Sequence, residues 1–343
     1  MFDSMSRREA IKAAMGAGLA AAAGAGLAGC SSGQSQGAAS PERDASTGKA
    51  SNGRRSCRIA HLTDMHIQPE KNANVGVSAA LAHVQGLKDR PAMIVTGGDT
   101  VMDSFDRDRA RTALQWDLWK QSTSSCRIPM RSVLGNHDIW GWNKSKSGTS
   151  GNEPGWGKAL GVEMLAMPAR FYAFDLPRES GSRVGWRCLM LDTVQPEGES
   201  GYTAFVDPEQ MEWLKSELAA ANRPGGPYLF VVTHIPILSA TVFIQKKAGR
   251  RTDITGGLMH TDAQELKDLF ATCPNVRACV SGHLHLLDHV SYNGVEYFCN
   301  GAVSGGWWGG KNIDCDAGYA VMDLYDDGRV VREYVNYGWV ART

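Results

Sequence analysis

Aspartate, asparagine and histidine gather in five short segments: Asp64-Met65-His66, Gly98-Asp99, Gly135-Asn136-His137-Asp138, His234, and Gly282-His283-Leu284-His285. Neutral imidazole, carboxylate and a side-chain amide oxygen form a donor set suited to Mn, Fe or Zn ions, and no thiolate stands in any of the five. Such a set belongs to metal-assisted catalysis rather than to a cysteine-bound structural zinc. In extended chain, residues two apart share a side, so Asp64 with His66, and His283 with His285, are each expected to aim two ligands at one locus. Glycines before Asp99, Asn136 and His283 allow tight turns and close backbone approach. Each segment alone is common in structural turns. The ordered set is far more specific than any member.

These ligands can meet only if the elements carrying them converge. Strand-like runs precede all five segments: Arg58 to Thr63, Ala92 to Thr96, Met130 to Leu134, Tyr228 to Thr233 and Val276 to Ser281. Between the first three runs, Val77, Leu81, Val84 and Leu87 recur at helical spacing, and a second helix is expected from Asp106 to Gln121. The resulting βαβαβ order implies parallel neighbours, whose carboxyl ends are where open α/β sheets bind ligands. Asp207-Pro208-Glu209-Gln210 reads as an N-cap, a first-turn proline and a capping-box glutamine, ahead of Met211, Leu214 and Leu218 on one face. Further strands are expected at Phe171 to Asp175, Arg187 to Leu191, Val295 to Cys299, Tyr319 to Leu324 and Val330 to Asn336. The last four, counted from Val276, are expected to pair antiparallel. The strand count predicts two packed sheets with helices outside.

The ordered set D-x-H, GD, GNHD, H and GHxH resembles the calcineurin-like metallophosphoesterases, especially the branch of class III cyclic-nucleotide phosphodiesterases and glycerophosphodiesterases. It extends from Arg58 to Asn336. The resemblance implies an α/β/β/α sandwich of two mixed sheets flanked by helices. It also implies one divalent ion on Asp64, His66 and His285, and a second on Asn136, His234 and His283, with Asp99 bridging both. His137 would stabilise phosphoryl charge or protonate the leaving alkoxide, with Asp138 orienting it through its other ring nitrogen. Met102 stands where purple acid phosphatases carry a metal-binding tyrosine, so no tyrosinate-to-iron colour is expected.

The implied reaction is hydrolysis of a small phosphoester, with a diester preferred, by in-line attack of a hydroxide held between two ions. The alternative readings are a nucleotide or protein phosphomonoesterase and a non-catalytic metal-binding module of the cell envelope. Three segments could form the rim of the site: Trp140 to Leu160; Ile235 to His260, with Lys246, Lys247, Arg250 and Arg251; and Ser304 to Gly310, with Trp307 and Trp308. The paired tryptophans could stack on a flat substituent of the substrate or simply pack.

Composition narrows the remaining classes. Lys+Arg and Asp+Glu both number 36, which leaves no cationic excess to hold nucleic acid as a stable partner. Ser6-Arg7-Arg8-Glu9-Ala10-Ile11-Lys12 resembles a twin-arginine export motif ahead of the Ala/Gly-rich stretch Ala13 to Gly29. Only Met15, Leu19 and Leu27 are strongly apolar there, too few for a permanent membrane span. Leu27-Ala28-Gly29-Cys30 resembles a lipobox, with Cys30 as the lipid-anchored residue, and Ser31 to Ser56 has a tether's composition. The expected organisation is a signal over 1–30, a linker over 31–56 and one catalytic domain over 57–343, in a periplasmic or cell-envelope lipoprotein. Without Cys30, seven of the 8 cysteines remain, an odd number that leaves at least one free or paired between chains; no pattern in the sequence sets their pairing or the oligomeric state.

Overall fold

The computed structural model describes residues 43–45, 52–244 and 253–341. The export motif, the lipobox, most of the tether and the basic residues Lys246, Lys247, Arg250 and Arg251 lie outside the described residues. Alternation along the strands sorts the side chains onto two faces, and the layers follow from that sorting. Ile59, Val95 and Met322 from one sheet meet Met190, Phe230 and Val280 from the other in a shared inner core. Their neighbours Ala60, Ile94 and Val321 face outward against Val77, Leu81 and Val84 of helix α1 (Ala73–Gly86) and Trp116 of α2 (Arg109–Thr123). After two short helices, α3 (Lys144–Ser147) and α4 (Lys158–Met164), the opposite outer layer is built from α5 (Pro208–Ala221) and α6 (Ala263–Ala271). Met211, Leu214, Leu218, Leu266 and Phe270 of these two helices cover Leu189, Leu229 and Val231. Each large apolar side chain buried this way contributes roughly 1.5–3 kcal/mol relative to exposure. The expected α/β/β/α sandwich of two mixed sheets is the observed architecture.

The first sheet runs β1 (Arg43–Ala45), β14 (Val330–Asn336), β13 (Gly318–Tyr325), β2 (Arg55–Leu62), β3 (Met93–Thr96), β4 (Met130–Ser132). The second runs β11 (Leu287–Tyr292), β12 (Val295–Asn300), β10 (Val276–Ser281), β9 (Tyr228–Val232), β6 (Trp186–Met190), β5 (Tyr172–Asp175). A separate ribbon joins β7 (Val194–Glu197) to β8 (Gly201–Ala204). Strands β2, β3 and β4 are parallel neighbours, as are β6, β9, β10 and β12.

Several local expectations need correction. Strand β10 pairs parallel, not antiparallel, with β12, because the unforeseen strand β11 reverses the chain at the sheet edge between them. Every residue of β11 is partly or fully exposed, so it carries no apolar run to reveal it. Helix α2 starts at Arg109, capped by the Asp108 carboxylate, which accepts from the Arg111 N–H at 2.8 Å; Ser104–Asp106 forms a separate 3₁₀ turn. Asp207 and Pro208 open α5 as expected. Gln210 closes no capping box: its side chain bonds the N–H and C=O of Asp192, at 2.8 and 2.7 Å, where a buried loop needs partners. Helix α6 and the β7–β8 ribbon were also absent from the sequence reading. No helix among the described residues is long and apolar enough to cross a membrane, and the seven described cysteines are all unpaired.

Candidate metal centre

Strands β2, β3, β4, β9 and β10 deliver the ligand-bearing loops at their carboxyl ends, on adjoining edges of the two sheets. Around one locus, His66 Nε2 lies 2.9 Å from His285 Nε2, and Asp64 Oδ1 lies 3.3 Å from His285 Nε2 and 3.8 Å from His66 Nε2. Around the other, His234 Nε2 lies 3.1 Å from Asn136 Oδ1, 3.1 Å from His283 Nδ1 and 3.2 Å from Asp99 Oδ2. Asp99 Oδ2 also stands 3.6 Å from His66 Nε2, between the two groups. Adjacent ligands each about 2.1 Å from a common ion are separated by roughly 3.0–3.4 Å, so the spacing suits direct coordination. All seven expected ligands are brought together.

Hydrogen bonds to backbone carbonyls set which ring nitrogen faces inward. His234 Nδ1 donates to Gly97 O at 2.8 Å, His283 Nε2 to Gly257 O at 2.7 Å and His285 Nδ1 to Gly305 O at 2.5 Å. In the neutral tautomers that remain, His234 Nε2 and His283 Nδ1 point lone pairs at each other, with two oxygen acceptors beside them. Four acceptors facing one point, buried from water, require a cation. This donor set therefore fits the divalent ion that its chemistry implies.

A proton can serve instead when no ion is bound. Burial opposes charge on His234, but the Asp99 carboxylate, the hydrogen bond to it and Asp64 outweigh burial and push the imidazole up to about 9. Burial resists ionisation of Asp64 as well, yet His285 and His234 hold it down at about 2; Asp99, beside His234 and His137, also lies well below the usual carboxylate range. Burial and the charge of His234 lower His283 to about 4, which keeps it neutral. Ion uptake at His234 must then displace a proton. Affinity at that position is expected to rise about tenfold per pH unit up to about pH 9 and to level off above it. Calorimetry in buffers of different ionisation enthalpy should register close to one proton released at pH 7.5; release of none would refute this linkage.

The backbone that makes this cage differs from expectation. Asp64, His66, Asp99, His283 and His285 have φ of 55, 41, 51, 67 and 53°, the left-handed region, not the extended chain assumed for the paired ligands. Such conformations cost about 1–3 kcal/mol each and persist where the surroundings over-determine them. Close packing enforces them here: a Cβ on Gly135 would lie 2.1 Å from Asp99 Oδ1, and one on Gly282 would lie 2.1 Å from Asp64 Oδ2. The motif glycines are needed for approach of the loops to the carboxylates.

His137 projects beside the ligands, with Nε2 3.9 Å from Asp99 Oδ2 and its ring edge-on to His66 at 4.7 Å. Its Nδ1 bonds the carbonyl of Met102. Asp138 does not orient it: the Asp138 carboxylate accepts from the N–H groups of Thr100, Val101 and Gly135 at 2.8, 3.1 and 2.9 Å. That carboxyl group ties the GD loop to the GNHD loop.

Of the rim tryptophans, Trp307 is 38% exposed and stacks on His285, with centroids 4.4 Å apart. Trp308 is a correction: it is 1% exposed and donates its Nε1–H to His66 O at 2.9 Å, so it packs beneath the site and cannot touch substrate. The sequence reading also missed Tyr202, on the β7–β8 ribbon, whose ring meets His283 edge-on at 6.2 Å. Tyr202, Asn136 and His137 line an open cavity of about 590 Å³, along with Phe105, Glu197 and Leu258. Only its spacing from the motif could have marked Tyr202, and the ribbon lacks a pattern that would place it.

Residues 57–287, more than half the chain, match the calcineurin-like phosphoesterase family. The chain belongs to that family. It is 23% identical over 247 residues to the 3′,5′-cyclic adenosine monophosphate phosphodiesterase CpdA of Escherichia coli strain K12, covering 69% of this chain and 72% of CpdA. A dimetal phosphatase from Danio rerio superposes with a TM-score of 0.57 at 12% identity, covering 83% of this chain and 98% of that one. GAP50, the anchor in the inner membrane complex of Plasmodium, does so with a TM-score of 0.51 at 17% identity, covering 83% and 85%. At these identities the two structures establish the fold alone. As a calcineurin-like phosphoesterase, the chain is a metal-dependent hydrolase of phosphoesters.

Proposed function

We propose that this calcineurin-like phosphoesterase is a binuclear phosphodiesterase of the cell envelope. The observation carrying the reading is the convergence of Asp99, Asn136, His234 and His283 on one point and of Asp64, His66 and His285 on another, with His137 Nε2 3.9 Å from Asp99 Oδ2. When bound, divalent ions held by the seven ligands supply Lewis acidity that lowers the pKa of water toward neutrality and offsets charge on the phosphoryl oxygens. The protein's part is positional. Met102 O accepts from His137 Nδ1–H, so it is the doubly protonated ring whose Nε2–H would give a proton to the departing alkoxide, leaving a neutral imidazole.

The apolar part of the cavity lining supports the diester reading. A monoester dianion would be helped by free cations near the ions, whereas a diester carries one charge fewer and a second substituent that needs room. Among the described residues, the one cation lining the cavity is Lys146, already 2.9 Å from Asp106, and Phe105, Tyr202 and Leu258 offer apolar surface. The likeness to CpdA makes a cyclic nucleotide the first natural diester to try. With Mn²⁺ loaded, bis(p-nitrophenyl) phosphate should turn over faster than p-nitrophenyl phosphate. The reverse order would assign a monoesterase. Absence of turnover on a broad panel, with two ions bound, would assign a binding module.

The twin-arginine-like segment Ser6 to Lys12 and the lipobox ending at Cys30 support export after folding and attachment to a membrane. Export of a folded protein suits a metal site filled before translocation. Cys30→Ser should move the protein from the membrane fraction to the soluble envelope fraction, and an unchanged distribution would remove the anchor from the proposal.

A further inference from the structure

One loop, Ser304 to Gly310 between β12 and β13, contacts all three residues of the first ion's ligand set. Ser304 N donates to Asp64 O at 3.2 Å, Trp308 Nε1 to His66 O at 2.9 Å, and Gly305 O accepts from His285 Nδ1 at 2.5 Å. Trp307 adds a fourth contact, its indole stacked on the His285 ring at 4.4 Å and 29° and tilted against His66 at 6.1 Å and 49°. Trp307 and Trp308 have φ of 51 and 68°, a left-handed pair of bulky residues that is sterically disfavoured. This conformation sends the two neighbours to different tasks: Trp308 inward to the backbone of His66, Trp307 outward over the ring of His285. Lys71 Nζ holds the turn from outside through Trp307 O at 3.1 Å. Trp307 meets His66, His285 and Lys71, all on the side of the first ion's ligand set.

We propose that Trp307 is a positioning residue for His285, and that through it this loop sets the affinity of the ion at Asp64, His66 and His285 independently of the other. The inference rests on the binuclear reading of the site. An imidazole gains positive character when it ligates a cation, and an electron-rich indole face stabilises a cationic ring beneath it. The Gly305 carbonyl acts in the same direction, because accepting from Nδ1–H makes Nε2 a better donor to metal. The indole also restricts rotation of His285 and shields it from water.

The test is titration of the ion-free protein with Co²⁺, by calorimetry and visible absorbance, in wild type, Trp307→Ala and Trp307→Phe. Because Trp307 is partly exposed, its removal should leave the fold intact, with melting of the ion-free protein as the check. Trp307→Ala should weaken one of the two sites about 10–100-fold, the usual range for an outer-shell partner, and leave the other within about twofold. Trp307→Phe, which keeps a ring face, should recover most of the loss. Repeating the comparison in a His234→Ala background assigns the weakened site, since the effect should persist there. Unchanged affinities at both sites, or equal weakening of both, would overturn the proposal. So would intact affinities with a raised KM confined to aromatic esters, which would make Trp307 a substrate contact. A wild-type protein that binds no pair of ions would defeat the binuclear reading itself, and the proposal with it.

Discussion

Asp99→Asn is expected to lose more than about 100-fold in affinity for both ions, exceeding the 10–100-fold typical of an outer-shell partner, and turnover with them. The substitution keeps the geometry: Asp99 Oδ1 accepts the His137 N–H at 2.9 Å, and an amide oxygen can do the same. It removes the negative charge standing 3.2 Å from His234 Nε2 and 3.6 Å from His66 Nε2, within reach of both ligand groups. It also puts an amide N–H where a lone pair should meet a cation. The same change removes the charge that raises His234, so proton release on ion uptake near neutral pH should disappear in the variant. Elemental analysis after dialysis is the direct measurement. Two ions retained at wild-type affinity would show that Asp99 is no bridge.

His137→Ala should do the opposite: keep both ions and lose turnover by about 10²–10⁴-fold, the usual contribution of a positioned acid–base group. The ring is partly exposed and bonded to Met102 O, so its removal opens no large cavity. The outcome matters because His137, His66 and Asp99 also come close enough together to hold an ion among themselves. Loss of an ion from the variant would move His137 from the chemistry to the ligand set. Retention of both ions with unchanged turnover would leave it no role in the reaction. A leaving group of low pKa, such as p-nitrophenoxide, needs little protonation, so the deficit should be smaller with aryl esters than with alkyl esters if His137 serves as the acid.

The chemistry of this protein was legible because ligand type and strand-end position are local properties. Asp64, His66, Asp99, Asn136, His234, His283 and His285 each lie in a loop that follows a strand, and parallel strands present their carboxyl ends on one edge. Elements without periodicity stayed hidden. The edge strand β11 and the β7–β8 ribbon bury too little of one face to leave an alternating pattern, and Tyr202 was lost with them. Trp307 and Trp308 read as an equivalent pair, yet consecutive left-handed residues turned one to the surface and the other into the core.

By itself the sequence determined the donor set, its order along the chain, the layered fold that collects it and the family. Tertiary structure alone decided which nitrogen of each ring faces the ions, why Asp138 braces loops rather than His137, and how the ligand loops are handed. Those features depend on backbone carbonyls and amides remote in the chain: Gly97 O, which sets the tautomer of His234, is 137 residues away. A carbonyl is the same group whatever residue carries it, so its placement leaves no trace in residue type or spacing and becomes visible only when the chain has folded.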